Sequence, residues 1–183
     1  MKEFIPAFRD NPKIVDIQSA WGNIPGILKD IIQRFNLKTD LALEFGVETG
    51  YSTSALANYF KKVIGIDTFR GDFEVINSTM PSNLEAVKVI LKDYPNIELI
   101  ESRYEEYIKH EHRRFDLIHV DIIHTYDPTF DCGDWSLNHS DCVIFHDTVT
   151  FPEVLRAVTD LSIKHNAEFY NYNEIHGLGI LLK

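Results

Sequence analysis

The chain has few cysteines, a deficit of basic residues and no long apolar run. Its 183 residues include 2 cysteines, and 18 Lys and Arg stand against 28 Asp and Glu, which gives a formal net charge of −10. Cys132 and Cys142 do not make a disulfide scaffold, and we expect both to be reduced and buried. An acidic surface argues against broad binding to nucleic acid or to an anionic membrane, because phosphate contacts need cationic side chains.

The apolar residues also bound the location and the domain count. No apolar run approaches the roughly 20 residues of a membrane-spanning helix, and the N-terminus lacks the apolar stretch of a signal peptide. We therefore expect a cytoplasmic protein that acts on a small molecule, with no nucleic acid and no membrane as partner; a homo-oligomer stays open. At this length one core buries roughly 70% of the unfolded chain's surface, so a single globular domain needs no structural metal.

Short runs of β-branched and aromatic residues alternate with longer stretches at helical spacing. This alternation predicts an α/β fold, a Rossmann-like three-layer sandwich with a mostly parallel seven-stranded sheet and a C-terminal antiparallel hairpin. The predicted strands are 41–45, 63–67, 97–100, 115–120, 142–145, 168–172 and 178–182. Two capping boxes, Ser82 with Glu85 and Thr150 with Glu153, predict the starts of two of the helices.

Ligands of such sheets bind at the carboxyl ends of the strands. Gly46 and Gly50 lie in the first strand-to-helix loop, where glycine permits positive φ and close approach of a ligand to the backbone. Their spacing is neither the GxGxxG pattern of dinucleotide binders nor a phosphate loop. Asp67 ends the second strand, where an acidic residue can bind a ribose diol; alternatively, it only caps a turn with Thr68.

Two motifs resemble the nucleoside-binding motifs of class I S-adenosylmethionine-dependent methyltransferases. They are EFGVETGYST at 44–53 and IDTFRGD at 66–72. Later residues resemble the short family 24 subgroup, some of whose members act on sugars. These residues are 115–121, 124–126, Asp131, Trp135, 145–148 and 177–180.

The resemblance implies a set of cofactor-binding residues. These are Glu44, Gly46, Gly50, Asp67, Thr68, Phe69, Ser102 and Asp121. Gly46 and Gly50 would frame the methionine moiety, Asp67 would hold the ribose, Phe69 would lie against the adenine, and Ser102 would contact the adenine edge. Glu48 departs from the pattern, because many members have glycine there; its carboxylate would either crowd the cofactor or reach its amino group.

A second constellation follows the fourth and fifth predicted parallel strands and contains Asp121, His124, His146 and Asp147. Asp121, His146 and Asp147 suit a divalent metal, with Mg²⁺ preferring oxygen ligands and Mn²⁺ tolerating nitrogen. Related metal-dependent O-methyltransferases place acidic ligands at positions like Asp121 and Asp147. Without a metal, His124 or His146 would deprotonate an acceptor hydroxyl, so Asp121, His124 and His146 are the candidate catalytic residues.

The resemblance and the two constellations together predict an enzyme. We expect S-adenosylmethionine-dependent O-methylation of a small hydroxylated acceptor such as a sugar. Residues 1–37 would form a helical segment packed on the domain as a candidate lid, 38–183 the S-adenosylmethionine-binding domain, and the loop 70–81 part of the acceptor pocket. The alternatives are a non-catalytic nucleoside-binding domain and a nicotinamide-dependent oxidoreductase.

Overall fold

The computed structural model describes residues 1–71 and 81–183, so most of the loop 70–81, including Asp72 of the second motif, lies outside the described residues. The strands are β1 (Lys2–Glu3), β2 (Leu41–Phe45), β3 (Lys62–Asp67), β4 (Ile97–Glu101), β5 (Leu117–Val120), β6 (Cys142–His146), β7 (Glu168–Tyr172) and β8 (Leu178–Leu182). The helices are α1 (Leu28–Arg34), α2 (Tyr51–Ala57), α3 (Leu84–Ile90), α4 (Tyr104–Tyr107), α5 (Tyr126–His139) and α6 (Pro152–Lys164). A 3₁₀ turn, Ile24–Ile27, leads into α1.

The strands form one sheet in the order β1-β7-β8-β6-β5-β2-β3-β4. All pairs are parallel except those of β8, which runs antiparallel to β6 and to β7. This arrangement confirms the predicted α/β sandwich, its mostly parallel sheet and its C-terminal antiparallel hairpin. The two-residue strand β1 is an addition to the seven predicted strands, and it pairs Lys2 with Tyr170.

Alternate residues of the inner strands point to opposite faces of the sheet. Ala42 joins an apolar cluster with residues of α1 and α2, whereas Leu43 and Phe45 join another with residues of α5 and α6. The side chains of a strand alternate between faces, so continuous apolar strands require a helical layer on each side. The three layers follow directly from this pattern.

Neither predicted capping box forms in full, although Ser82 Oγ accepts the amide of Leu84 at 3.3 Å at the start of α3. Asn83 and Phe151 occupy the N-cap positions of α3 and α6, and neither makes a side-chain cap bond. Each helix begins one residue later than the capping box requires. The acidic partners bond elsewhere: Glu85 pairs with a lysine one turn on, and Glu153 accepts the amide of Tyr126 at 3.1 Å.

The N-terminal segment packs along the α1 and α2 layer. Phe4 is buried, and the amide of Ala7 donates to the Asp30 carboxylate at 2.6 Å. Further along, the amide of Val15 donates to Ser54 Oγ at 3.3 Å. Within the described residues no helix combines the length and apolarity needed to span a bilayer.

The strand order reverses between β2 and β5. From β2 the chain moves outward through β3 to β4, and it then returns to β5 on the other side of β2. In open α/β sheets the crevice at such a switch point, outside the carboxyl ends of the strands, is where ligands bind.

Candidate functional site

A cavity of about 480 Å³ opens at the switch point, within the size range of small-molecule sites. Residues that follow β2 to β6 line it, together with 19–21 of the N-terminal segment. The predicted site residues that line it are Gly46, Asp67, Thr68, Phe69, Ser102, Asp121, His124, His146 and Asp147. Two predicted cofactor-binding residues, Glu44 and Gly50, are not among its lining residues.

Gly46 lies where two loops touch. Its φ is +90°, and a Cβ atom built there would lie 1.7 Å from the backbone oxygen of Asp121. The amide of Asp121 donates to the oxygen of Phe45 at 2.8 Å, which ties the two loops together. Only glycine permits this approach. Gly46 therefore brings the loop after β2 against the first residue of the second constellation.

Gly50 serves the packing of α2 instead. It immediately precedes α2 with a φ of +90°, and a Cβ atom there would lie 2.8 Å from Leu91 Cδ1 at the end of α3. The absence of a side chain lets α2 and α3 approach each other. The predicted pair of glycines thus divides into one beside the cavity and one inside the helical layer.

Glu44 faces the protein interior. Its side chain is fully buried, Oε1 lies 2.9 Å from His119 Nδ1, and Oε2 accepts the hydroxyl of Thr53 in a short hydrogen bond. Glu44 and His119 are direct cross-strand neighbours in β2 and β5. A buried carboxylate needs such partners, because an unpaired charge in the core is costly. Glu44 is thus placed to connect α2 to the two central strands rather than to touch a ligand directly.

Asp67 organises the loop after β2. Its Oδ2 accepts the amides of Val47 and Glu48, each at 2.8 Å, and its Oδ1 accepts the amide of Phe69 at 2.7 Å. A carboxylate has about four acceptor positions, so Oδ1 keeps one for a ligand. The two interpretations of the sequence, turn cap and ligand-binding acid, are therefore compatible at this residue.

The expected adenine end combines apolar and polar walls. Phe69 lines the cavity while packing in a buried cluster with Val47, Val87 and Leu91, and its φ of +57° is unusual for a bulky residue. Ser102 also lines the cavity, and its amide donates to the backbone oxygen of Asp67 at 2.9 Å. The wall beyond these predicted residues is completed by Arg103, Tyr104 and Glu105, which motif comparison did not single out.

The second constellation assembles at the opposite end. His124 Nε2 lies 2.9 Å from Asp147 Oδ2 and 3.5 Å from Asp121 Oδ1. His146 Nδ1 lies 3.1 Å from Asp147 Oδ2 and 3.4 Å from Asp121 Oδ2. Four residues from two loops therefore form one cluster, as their places after neighbouring parallel strands predict.

The two carboxylates set the protonation of the two imidazoles. Their proximity raises the pKa of His124 to about 10. Burial lowers the pKa of His146, but Asp121 and Asp147 outweigh it and bring that pKa to about 9. Burial likewise favours protonated carboxyls, yet the histidines lower the pKa of Asp147 to about 2 and hold that of Asp121 well below its usual range. At neutral pH the cluster thus holds two carboxylates and two imidazolium groups.

The cluster contains one group of three potential metal ligands. Ligand atoms of Asp121, His124 and Asp147 all lie within 4.8 Å of one another. The sequence predicted His146 as the histidine ligand, whereas this set contains His124. The Nε2 atoms of both histidines are buried and lack an aligned hydrogen-bond partner among the described residues, although Asp147 is close to His124 Nε2. Two carboxylates and an imidazole nitrogen with no aligned bond fit a divalent ion of borderline softness.

Trp21 belongs to the N-terminal segment that the sequence marks as a candidate lid, and it lies at the site although it was not among the predicted site residues. It lines the cavity but is only 2% exposed. Its ring meets His119 edge-on with centroids 4.7 Å apart and lies 6.0 Å from that of His146. The segment was predicted as a candidate lid, but nothing in the local sequence shows which of its residues reaches the sheet edge.

Known proteins support the identification of the fold and family. Residues 43–148 match the model of the family Methyltransf_24, described as a methyltransferase domain. No curated protein matches the chain at a significant level.

Several solved methyltransferases share the fold. The O-methyltransferase NovP is 16% identical with a TM-score of 0.68, covering 88% of this chain and 78% of NovP. The S-adenosylhomocysteine-bound methyltransferase PaMTH1 of Podospora anserina is 16% identical with a TM-score of 0.62, covering 91% and 80%. Aeropyrum pernix fibrillarin with bound S-adenosylmethionine is 12% identical with a TM-score of 0.59, covering 87% and 73%. The matched family residues span more than half of the chain, which therefore belongs to the family 24 methyltransferase domains of the class I S-adenosylmethionine-dependent methyltransferases.

Proposed function

We propose that the protein transfers the methyl group of S-adenosylmethionine to a hydroxyl oxygen of a small acceptor. The observation that carries this proposal is that one cavity holds both Asp67, with the loop it organises, and the cluster of Asp121, His124, His146 and Asp147. The nucleoside site would then bind the cofactor, and the acid-base residues would act on an acceptor held beside it in the same cavity. NovP, which has a similar fold, is itself described as an O-methyltransferase.

The cofactor site fits a nucleoside with a charged amino-acid tail. In the proposed arrangement Asp67 Oδ1 accepts a ribose hydroxyl, Phe69 and Ser102 bound the adenine, and the backbone at Gly46 lies against the methionine moiety. S-adenosylmethionine, when bound, supplies an electrophilic methyl group on a sulfonium. The protein must therefore align the acceptor oxygen and remove its proton.

The cluster supplies the groups that receive this proton. An imidazolium has no free lone pair, so with His124 and His146 protonated the proton acceptors are the carboxylates of Asp121 and Asp147. The imidazolium groups in turn donate hydrogen bonds that hold an acceptor hydroxyl or its oxyanion. This arrangement needs no metal.

A divalent metal ion would change the roles within the cluster. In that form Asp121, His124 and Asp147 are the ligands and His146 remains beside them. The ion, when bound, would lower the pKa of an acceptor hydroxyl. An ion and a proton compete for the same nitrogen, so His124 must release its proton first and metal affinity must rise with pH. The mixed oxygen and nitrogen donors favour Mn²⁺ over Mg²⁺.

The acceptor is expected to be uncharged. Around the cluster, the described cavity lining contains carboxylates and histidines, and its one arginine, Arg103, lies next to Ser102 at the adenine end. An anionic acceptor would need an uncompensated cation close to its charge, whereas the two imidazolium groups of the cluster are already balanced by the carboxylates of Asp121 and Asp147. A neutral polyol, sugar or phenol is therefore favoured over a phosphorylated one.

The test combines calorimetry with product detection. S-adenosylhomocysteine is titrated into the protein with excess EDTA and then with Mn²⁺ or Mg²⁺. Transfer of a labelled methyl group to a panel of neutral hydroxylated compounds is measured under both conditions. Asp147→Asn is compared with Asp127→Asn, which changes an exposed carboxylate at the start of α5.

We expect micromolar binding of S-adenosylhomocysteine, labelled products and loss of turnover in Asp147→Asn only. Activity that survives EDTA assigns proton removal to the side chains alone, whereas Mn²⁺-dependent activity assigns His124 as a ligand. Tight binding without any product across the panel supports a non-catalytic nucleoside-binding domain. Thermal stabilisation by a nicotinamide nucleotide, with none by S-adenosylmethionine, overturns the proposal in favour of an oxidoreductase.

A further inference from the structure

The loop that carries Asp147 is held from the C-terminal hairpin. The backbone oxygen of His176, in the turn between β7 and β8, accepts the amide of Val149 at 2.8 Å and that of Thr150 at 3.1 Å. The hydroxyl of Thr150 also lies 2.8 Å from His176 Nδ1. One turn residue therefore makes three hydrogen bonds to two consecutive exposed residues of the loop.

The hairpin turn has an unusual backbone. Ile175, His176 and Gly177 have φ values of +50°, +63° and +92°. A β-branched residue in the left-handed region is a genuine outlier, and such strain persists only where surrounding contacts enforce it. Those contacts include the packing of the Ile175 side chain on Gly22, next to Trp21.

Gly177 permits the close contact between the turn and the loop. A Cβ atom at this position would lie 2.5 Å from the amide nitrogen of Val149 and 2.6 Å from Thr148 Oγ1. No larger residue fits without moving the loop. Thr148 is fixed in the same direction, because its buried hydroxyl donates to Asn171 Oδ1 of β7 at 2.7 Å.

The position of this loop determines that of two residues in the cluster. Asp147 is left-handed with φ +66°, and its backbone oxygen accepts the amide of Phe151 at 3.0 Å. The ring of Phe151 stacks on that of His124, with centroids 4.3 Å apart and planes 12° from parallel. The backbone of residues 147–151 thus fixes the direction of the Asp147 carboxylate, and Phe151 restrains the imidazole of His124.

We propose that His176 is a positioning residue for the methyl-transfer site: through Val149 and Thr150 it holds Asp147 and, through Phe151, His124. This inference rests on the proposed function. His176 itself is not among the cavity-lining residues, and it lies outside the residues that match the family model. His176 is therefore a part of the site that neither the family model nor the matching motif residues include.

The test uses two changes that act differently on the contact between the hairpin turn and residues 149–150. Thr150→Val removes the hydroxyl at an exposed position, Thr150→Ser restores it, and Thr159→Val is the control, since that hydroxyl bonds within α6. Gly177→Ala places a methyl group against Val149. Its control is Asn166→Ala, which also puts alanine at a positive φ, but at the end of α6.

Two readouts do not depend on turnover. Nuclear magnetic resonance follows the His124 ring protons, which the stacked Phe151 ring shifts, and the hydrogen exchange of the Val149 and Thr150 amides. We expect Thr150→Val and Gly177→Ala to move the His124 signals and to speed exchange about 3- to 10-fold, the equivalent of one hydrogen bond. Thr150→Ser and both controls should behave like the unmodified protein.

The kinetic readout then separates positioning from general damage. We expect kcat to fall about 10-fold or more in Gly177→Ala, with a smaller fall in Thr150→Val, while the affinity for S-adenosylhomocysteine stays within about twofold. Unchanged His124 signals and exchange rates in Thr150→Val overturn the proposal that His176 positions the loop. A kcat of Gly177→Ala equal to that of the controls overturns it as well. An unmodified protein that methylates nothing overturns the proposed function, yet the resonance data still decide whether His176 holds the loop.

Discussion

The Oδ2 atom of Asp67 accepts the backbone amide of Glu48 at 2.8 Å, and this bond fixes the one residue that departs from the family's glycine pattern. Glu48 has a φ of +52°, a conformation that glycine adopts more easily. The same Oδ2 accepts the amide of Val47, so the loop is held without glycine at position 48. Asp67 thereby shapes the wall against which the cofactor is expected to lie.

Asp67→Asn should weaken both cofactor binding and the fold. An amide offers one acceptor atom in place of two, so at least one backbone N–H loses its partner, at a cost of about 1–3 kcal/mol. We expect a lower melting temperature and an affinity for S-adenosylhomocysteine that is about 10- to 100-fold weaker. The control is Asp116→Asn, because Asp116 also accepts two backbone amides, those of Asp40 and Leu41, but with a single oxygen and outside the cavity lining. Equal loss of affinity in both variants would show a stability effect only.

Glu48 should contribute to binding through its charge. The side chain is exposed and lines the cavity, and the amino group of the cofactor is cationic. We expect Glu48→Gln to weaken S-adenosylhomocysteine binding by up to about 1 kcal/mol, as for a solvent-exposed ion pair. Glu106→Gln changes an exposed carboxylate that is not among the cavity-lining residues and serves as the control in calorimetry. Tighter binding in Glu48→Gln would show instead that the carboxylate crowds the cofactor.

The fold was predictable because its determinants are local. Each of the seven predicted strands is a short run rich in aliphatic and aromatic residues, and the alternation of such runs with helical stretches predicts a mostly parallel sheet. The capping boxes failed because a shift of one residue moves a side chain out of the N-cap position. Glu44 shows the same limit for the site. The motif that contains Glu44 was recognised, but the surroundings of its side chain depend on strand register, which puts Glu44 opposite His119.

The site was predictable where it follows directly from strand ends. Asp67, Asp121 and His146 lie at or next to the carboxyl ends of their strands, and all three line the cavity. Trp21 and His176 come from segments distant in sequence that return to the same edge. Their contacts are set by tertiary packing, which no local pattern encodes.

The two histidines should make stability fall as the pH rises. With pKa values of about 10 for His124 and about 9 for His146, the folded state keeps two protons that the unfolded chain loses near pH 6.5. Their contribution is complete below pH 6.5 and is lost as the pH rises through about 9 to 10. The lowered pKa values of Asp121 and Asp147 act in the opposite sense, and their contribution is lost only in strong acid.

Denaturant unfolding between about pH 6 and about pH 9.5 measures how the free energy of unfolding changes with pH, over the range in which the raised histidine pKa values act. We expect His124→Gln to lose less stability over this range than the unmodified protein, by at most about 1.4 kcal/mol per pH unit, the limit for one proton. His112→Gln, at an exposed position outside the cluster, should keep the original slope. Parallel curves for His124→Gln and the unmodified protein would contradict the assignment of the raised pKa.

Trp21 should determine how the acceptor binds, because it brings the N-terminal segment into the cavity beside His146. Its indole nitrogen is buried and has no hydrogen-bond partner among the described residues. Trp21→Phe keeps most of the packing, whereas Trp21→Ala would cost about 3–5 kcal/mol and is unsuitable. We expect Trp21→Phe to raise the KM for the acceptor several-fold while S-adenosylhomocysteine affinity is kept. Trp135→Phe, in the cluster on the other face of the sheet, should change neither quantity. Loss of cofactor affinity with an unchanged acceptor KM would place Trp21 at the cofactor end and remove the N-terminal segment from acceptor recognition.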